Sequence, residues 1–405
     1  MKKFKPFTFF LFLFTVLFLI FAPALIRSGL KKDNPSVKSQ GFRGILSLWQ
    51  VNGWQPGASS IGAYLKKCVT RFENKNVYVF IEVTTLTPAK AAERIRAGEL
   101  PDMISFPTGF FADPSLLSPL DDTAYSSASL ASSCEYGGKQ YAFAFLVNPY
   151  LLFCNEDILY EKEIETETMD KLSLDTLFKT ASTLSYTKQE GKKTKQIYGM
   201  AQQEEYITSP FASLAFFRDP QPPKTDTPDA ATPQDTQTLS GPAYAITAAP
   251  QKGLELFMNR QAAFLISPAS ALSTLKNSDK SPPAYRACAF SAYSDMVQYL
   301  GIVKTEDKAK LSICKSFLYS LLNEKNVKSA SDILCLPVTY SGELFTEEPV
   351  LKEAYQTLIQ EGVFPNAFTY AKAHSELKPY AAGALQGDSE SLSNIRRLLS
   401  KKLYS

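Results

Sequence analysis

"VYVFIEVTTLTPAKAAERIRAGELPDMISF", residues 77–106, is the stretch on which the fold turns. Residues 77–84 are rich in β-branched and aromatic side chains and read as a strand. Thr87 and Pro88 then supply the cap and first-turn proline of a helix, which carries Ala91, Ala92 and Ile95 inward and stops at Gly98. "PDMISF" follows as another strand. Upstream the same alternation has already begun: residues 44–51, "GILSLWQV", form an apolar run of strand length, and Ser59 or Ser60 can cap a helix with Ile61, Tyr64, Leu65, Cys68, Val69 and Phe72 on one face. Strand, helix, strand, helix, strand implies right-handed crossovers, a largely parallel sheet and the α/β class. In such sheets ligands sit beyond the carboxyl ends of the strands. That rule nominates two loops, the segment after residue 51 and Pro107-Thr108-Gly109.

The chain of 405 residues, 45% hydrophobic and 20% charged, is too long for one compact core, so two lobes are expected. Its 43 basic and 40 acidic residues balance once Lys2, Lys3 and Lys5 are set aside, so no field points towards nucleic acid. Those lysines precede an uncharged stretch from Pro6 to Ile26, dominated by Phe and Leu, which reads as an export signal. Ala22-Pro23-Ala24 fits a cleavage pattern, yet the stretch, about 20 residues, is also long enough to stay as a spanning helix. Both outcomes place the remainder outside, with the lysines on the cytoplasmic side. No Cys follows the apolar stretch closely enough for lipid attachment. The six cysteines, at 68, 134, 154, 288, 314 and 335, have no metal-like spacing, which leaves buried thiols or disulfides open.

Further along, "KQYAFAFLVNPYLLFCNEDIL", residues 139–159, is extended but interrupted by Asn148-Pro149, as two strands passing from one lobe into the next would be. Helices are expected at about 173–184 and 252–259, a strand at "AAFLISP", one helix over residues 309–325 and another at "EEPVLKEAYQTLIQEG". Residues 218–242, dense in Pro, Thr, Asp and Gln, read as a flexible surface insertion.

The order of these motifs resembles the extracellular solute-binding proteins of ABC importers, in the family 1 branch that includes sugar and maltodextrin binders. "AAERIRAGELPDMISF", "LLSPLDD", "YGGKQYAFAFLVNPYLLFCNEDIL", "SLDTLFKTASTL", "RQAAFLISP" and "CKSFLYSLLNEKNVKSASDILCLPV" stand in that family's order across residues 44–400. The chain departs where the family often carries an aromatic turn after the "AAF" strand and this sequence reads Ser267-Pro268-Ala269-Ser270. The resemblance implies a two-lobed periplasmic-binding-protein-like fold of type II, with crossings near Asn148, at 289–293 and near 324–330. It also implies lobe 1 from 44–147 and 291–325, and lobe 2 from 148–290 and 326–405, after a signal or anchor with linker over 1–43. The expected function is capture of a small solute, a neutral sugar or oligosaccharide, by lobe closure outside the membrane, and its delivery to ABC permease transmembrane subunits by a monomer. A membrane-anchored sensory subunit uncoupled from import is the alternative.

Both tryptophans, Trp49 and Trp54, fall at the end of the first strand or just beyond it. An aromatic face with amides beside it suits a polyol, whose C–H groups pack on the ring while its hydroxyls bond the amides. The expected ligand-binding residues are therefore Trp49, Gln50, Asn52, Trp54, Gln55 and Thr108, with Asn148 and Tyr150 at the crossing. Tyr206, Phe211, Ser267, Ser270 and Tyr340 complete the facing wall. Arg71, Arg94 and Arg96 fall on helices rather than in strand-end loops, which argues against an acidic solute. Catalysis is not expected. The lone histidine, His374, reads as the exposed part of a late helix, and no Ser/His/Asp or Cys/His set forms around it. The alternating Glu161, Glu163, Glu165 and Glu167 read as a solvated loop. Without a phosphate loop or metal-ligand cluster, neither cofactor nor metal is expected.

Overall fold

The computed structural model describes residues 41–121, 125, 127–164, 177, 180, 181, 183–202, 252–279, 281–289, 293–339 and 344–385, with 388, 390, 391, 393, 394, 397 and 398 beyond them. The first half comprises β1 (Gly44–Val51), α1 (Ile61–Glu73), β2 (Val79–Leu86), α2 (Pro88–Arg96), β3 (Met103–Pro107), α3 (Ala128–Ser133), the hairpin β4 (Glu135–Tyr136) and β5 (Lys139–Gln140), and β6 (Phe143–Val147). Next come β7 (Tyr150–Asn155), α4 (Glu156–Glu161), β8 (Tyr186–Glu190), β9 (Lys193–Gln202), α5 (Lys252–Met258), β10 (Ala262–Pro268), α6 (Ser270–Lys276) and β11 (Tyr285–Ala289). The chain continues through β12 (Val297–Ile302), α7 (Lys308–Ser320), α8 (Glu324–Ser331), β13 (Leu336–Pro337), α9 (Pro349–Glu361) and α10 (Tyr370–Leu385).

The helix starts follow from local chemistry. Ser60 accepts from the Ala63 N–H at 3.1 Å, and Thr87 from Lys90 N–H at 3.3 Å, with Pro88 opening α2. After α2 the chain turns at Gly98, whose φ of +80° is costly for any residue with a Cβ. Between helix and strand, the Asp102 carboxylate accepts from Ser47 N–H at 2.8 Å, Ser47 Oγ at 3.0 Å and Lys310 Nζ at 2.8 Å. It ties the starts of β1 and β3 to α7. Burial alone would raise the Asp102 pKa, but the Lys310 ammonium and the two Ser47 donors outweigh it, and the net shift is downward.

Two sheets result. The first has the order β13-β6-β12-β3-β1-β2, the second β11-β7-β10-β9-β8. The expectation of a largely parallel sheet is corrected here: β2, β1 and β3 run parallel, but β12 is antiparallel to both β3 and β6, and β13 to β6. In the second sheet only β9 and β10 pair in parallel. The reason is the crossing itself. A strand such as β12, which re-enters the first sheet from the second, begins at the end where β1 and β3 finish, and so runs against them.

The two crossings lie side by side. Asn148 N–H donates to Met296 O at 3.0 Å, and Ser294 Oγ to Asn148 O at 2.8 Å. A third departure follows Pro337, after which α9 packs on β11. The stretch near 324–330 is instead helix α8, seated on α1 and β13. The expected single helix over 309–325 is divided in two: α7 stops at Ser320, with Leu321 at its C-cap, and Asn323 stands at the N-cap of α8. All six cysteines are buried, and none of them is joined in a disulfide. Among the described residues no helix is long and apolar enough to cross a membrane; Pro6 to Ile26 lies outside them, as does the insertion at 218–242.

Candidate ligand cleft

A cavity of about 560 Å³ opens where the sheets meet. The first sheet contributes Asn52, Gly53, Trp54 and Gln55 after β1, and Pro107, Thr108, Gly109 and Phe110 at and beyond the end of β3, with Pro88 opening α2. Tyr150 comes from the start of β7, Asp295 and Met296 from the crossing before β12, and Tyr370, Ala371 and His374 from the first turns of α10. The size falls within the range of small-molecule sites.

Close backbone approach shapes this wall. A Cβ on Gly53 would lie 2.3 Å from Pro107 Cγ, so only glycine lets the two strand-end loops touch. Gly109, at φ +75°, packs against the Ala371 backbone and donates its N–H to Ala367 O at 2.9 Å, which brings α10 over the end of β3. Trp54 is 8% exposed, and its indole N–H has no partner among the described residues. Asn148 donates from Nδ2 to Gln55 O at 3.3 Å, pinning the loop after β1 to the crossing, while its Oδ1 has no donor among the described residues. Across the cavity the Asp295 carboxylate accepts from Tyr150 OH at 3.1 Å and from Tyr370 OH. Burial first, and then the Asp295 charge, push the Tyr370 hydroxyl well above its ordinary pKa, so it stays protonated and donating.

Of the residues singled out in the sequence, Asn52, Trp54, Gln55, Thr108 and Tyr150 line the cavity. Trp49 does not. In β1 alternate side chains take opposite faces, and both faces are covered: Trp49 meets α2, where the Arg94 guanidinium lies 5.5 Å from the ring centroid. Gln50 points to the α1 side, fully buried near Gly62, and donates to Val51 O at 3.1 Å. The two tryptophans therefore do not share one wall. Asn148 is buried in the crossing, Ser267 is buried on β10 opposite Leu151, and Ser270 opens α6; none of these lines the cavity. Tyr206, Phe211 and Tyr340 lie outside the described residues. Conversely, Asp295, Tyr370 and His374 line the cavity without having been singled out as ligand-binding, and His374 is half-buried there, 5.4 Å from the Tyr370 ring, rather than an exposed helix residue. The spacing of Tyr370 and His374, four apart on one helix face, was the available signal. Among the described residues no group of three or more His, Cys, Asp or Glu side chains is placed to hold a metal ion.

The architecture is the two-lobed periplasmic-binding-protein fold, two α/β sheets joined by adjacent crossings with a cavity between them. It is similar to an ABC substrate-binding protein from Listeria monocytogenes in complex with cycloalternan, at TM-score 0.60 and 18% identity over 89% of this chain and 99% of that one. It is also similar to the maltose/maltodextrin-binding domain from Bdellovibrio bacteriovorus bound to maltotriose, at TM-score 0.53 and 15% identity over 88% of this chain and 98% of that one. A cyclic alpha-maltosyl-1,6-maltose binding protein from Arthrobacter globiformis matches with TM-score 0.59 and 14% identity over 89% and 99% of the two chains. No protein-family model matches the chain, and no curated protein matches it in sequence.

Proposed function

We propose that this protein is an exported solute-binding protein, a divergent relative of the family 1 receptors of ABC importers, which captures a neutral sugar or oligosaccharide and delivers it to a permease. The observation that carries this reading is the cavity between the sheets, with Trp54 beside the amides of Asn52 and Gln55 and the hydroxyl groups of Thr108 and Tyr150. Such a surface offers a ring face to sugar C–H groups and both donors and acceptors to hydroxyls, without bond-making chemistry. The fold supports it, since two of the similar structures named above are complexes with cycloalternan and with maltotriose.

Capture works through differential affinity. A solute held by residues 52–55 gains contacts with Tyr150 only where the lobes approach, so binding shifts an open/closed equilibrium towards the closed form. Thermal-shift measurements with neutral oligosaccharides such as maltotriose, beside amino acids and organic anions, test the ligand class. Ligand at about a hundred times its Kd adds about 2.7 kcal/mol to native stability. Stabilisation by anions or peptides alone refutes the sugar reading. Small-angle scattering tests closure: an unchanged radius of gyration at saturation rejects it.

A further inference from the structure

The loop that carries the cavity residues leaves β1 at Val51, and the Val51 carbonyl is met by two side-chain amides. Gln50 Nε2 donates to it at 3.1 Å and Gln298 Nε2 at 3.4 Å, and Gln298 Nε2 also donates to Ser105 Oγ at 2.9 Å. Gln50, Ser105 and Gln298 are fully buried and come from β1, β3 and β12, neighbours in the first sheet. A backbone carbonyl only accepts, so it sets the sense of both glutamines: turned about, each would face the Val51 oxygen with an oxygen of its own. The sense then passes outward. Gln50 Nε2 also donates to Asn52 Oδ1 at 3.4 Å, so Asn52 gives its oxygen to the buried side and carries Nδ2 away from it. The Asn52 backbone N–H is bound to Leu86 O at 2.9 Å, which fixes the main chain and leaves the side chain as the part still to be oriented. Stability alone does not call for this row. Gln50 Oε1 and Gln298 Oε1 are buried without a donor among the described residues, a cost that an apolar side chain of similar size would avoid.

We infer that Gln50, which does not line the cavity, is a positioning residue that fixes the Asn52 amide as a hydrogen-bond donor to the ligand. The place beside Asn52 then takes an acceptor oxygen, from a hydroxyl, a sugar ring or a glycosidic link, and not an ammonium group, which has no lone pair to offer. This rests on the sugar reading above and narrows it. Gln298 acts one step further back, as a second donor on the carbonyl that orients Gln50. Released from Gln50, the Asn52 side chain has three χ1 wells and two senses of its amide, about six states of which one suits. Apparent affinity falls with the competent fraction, so loss of Gln50 weakens binding by up to about sixfold.

The test joins an orientation measurement to a double-mutant cycle. Neutron diffraction from perdeuterated crystals separates an amide ND2 from its oxygen. It should show the ND2 groups of Gln50 and Gln298 towards Val51 O and that of Asn52 towards the cavity. Calorimetry then follows maltotriose, or the neutral oligosaccharide of the thermal-shift series that binds in its place, on the parent, Gln50→Met, Asn52→Ala and the double variant. Far-UV circular dichroism and melting temperature establish that each is folded. Asn52→Ala should weaken binding about three- to tenfold, the range for one neutral hydrogen bond, and Gln50→Met about three- to sixfold. In the Asn52→Ala background, Gln50→Met should change affinity by less than about 1.5-fold, because it acts through Asn52. An equal loss in both backgrounds makes Gln50 a structural residue only and overturns the inference. A neutron map with the Asn52 oxygen towards the cavity overturns it too, whether or not Gln50→Met folds. If the saccharide binds the parent and Gln50→Met equally well, the inference fails and the sugar reading survives. If no neutral oligosaccharide binds the parent, the sugar reading falls and takes this inference with it.

Discussion

Replacing Gly53 by alanine probes the cavity at its tightest point. The added Cβ would stand 2.3 Å from Pro107 Cγ and 2.5 Å from Pro107 Cβ, and the proline ring cannot rotate away. Carbon atoms rest about 3.5–4 Å apart, so one loop must retreat by at least about 1 Å. Overpacking of this kind costs about 1–3 kcal/mol, readable as a lower denaturation midpoint at unchanged slope. Gly53 has no left-handed φ, so the cost is steric and not conformational. Asn52, Trp54 and Gln55 move with the loop, and a displacement of about 1 Å exceeds the tolerance of a preorganised site. Affinity for the ligand that the proposed screen identifies should fall at least tenfold, about 1.4 kcal/mol. Adding Pro107→Gly removes the clashing atoms, and in a double-mutant cycle the pair should recover most of both losses relative to Pro107→Gly alone. If Gly53→Ala matches the parent in stability and affinity, the two loops are not in contact and the description of this wall is wrong.

Three further outcomes follow from the packing. Asp102→Asn should destabilise by about 1.5–3 kcal/mol at neutral pH, the range for a charge-assisted bond. The Asp102 pKa is lowered in the folded state, so its contribution is complete above the unfolded value of about 3.9 and is lost as pH falls through the folded one. The difference between parent and variant, followed by urea unfolding, should therefore shrink below about pH 4, and a constant difference to lower pH contradicts the network. Burial pushes the Cys68 and Cys314 thiols up to about 12 and Cys134 to about 11, so thiol reagents should react only as the protein unfolds, and reductant should leave the melting temperature unchanged. With only two tryptophans in the chain, fluorescence separates their roles. Ligand should alter the emission of Trp49→Phe but not of Trp54→Phe, and the reverse pattern rejects the placement of the site.

The early alternation was legible because each boundary has a local cause. Ser60, Thr87-Pro88 and Gly98 mark helix starts and a stop by chemistry confined to a few residues, and β1, β2, α1 and α2 fall within about two residues of their expected limits. The rule that ligands lie beyond strand carboxyl ends then located Asn52, Trp54, Gln55 and Thr108 at the cavity. Trp49 was not resolvable in this way, since a strand buried on both faces gives no parity signal to separate a helix-covered side from a cleft side. Asp295, Tyr370 and His374 were hidden for another reason. Their position depends on the Gly109 to Ala367 hydrogen bond and on Tyr370 meeting Asp295, contacts between segments far apart in the chain, which local periodicity does not encode. Strand direction in β12 was missed likewise, because it is fixed by where the chain returns.

The paired crossings have one more implication. Their principal bond, Asn148 N–H to Met296 O, joins peptide groups, and Ser294 Oγ reinforces it through a carbonyl. If the closure proposed above turns on these crossings, its pivot is set largely by main-chain atoms, which are indifferent to most substitutions around them. Under that proposal, mutational drift rewrites the walls and changes the ligand while the axis of closure is inherited intact.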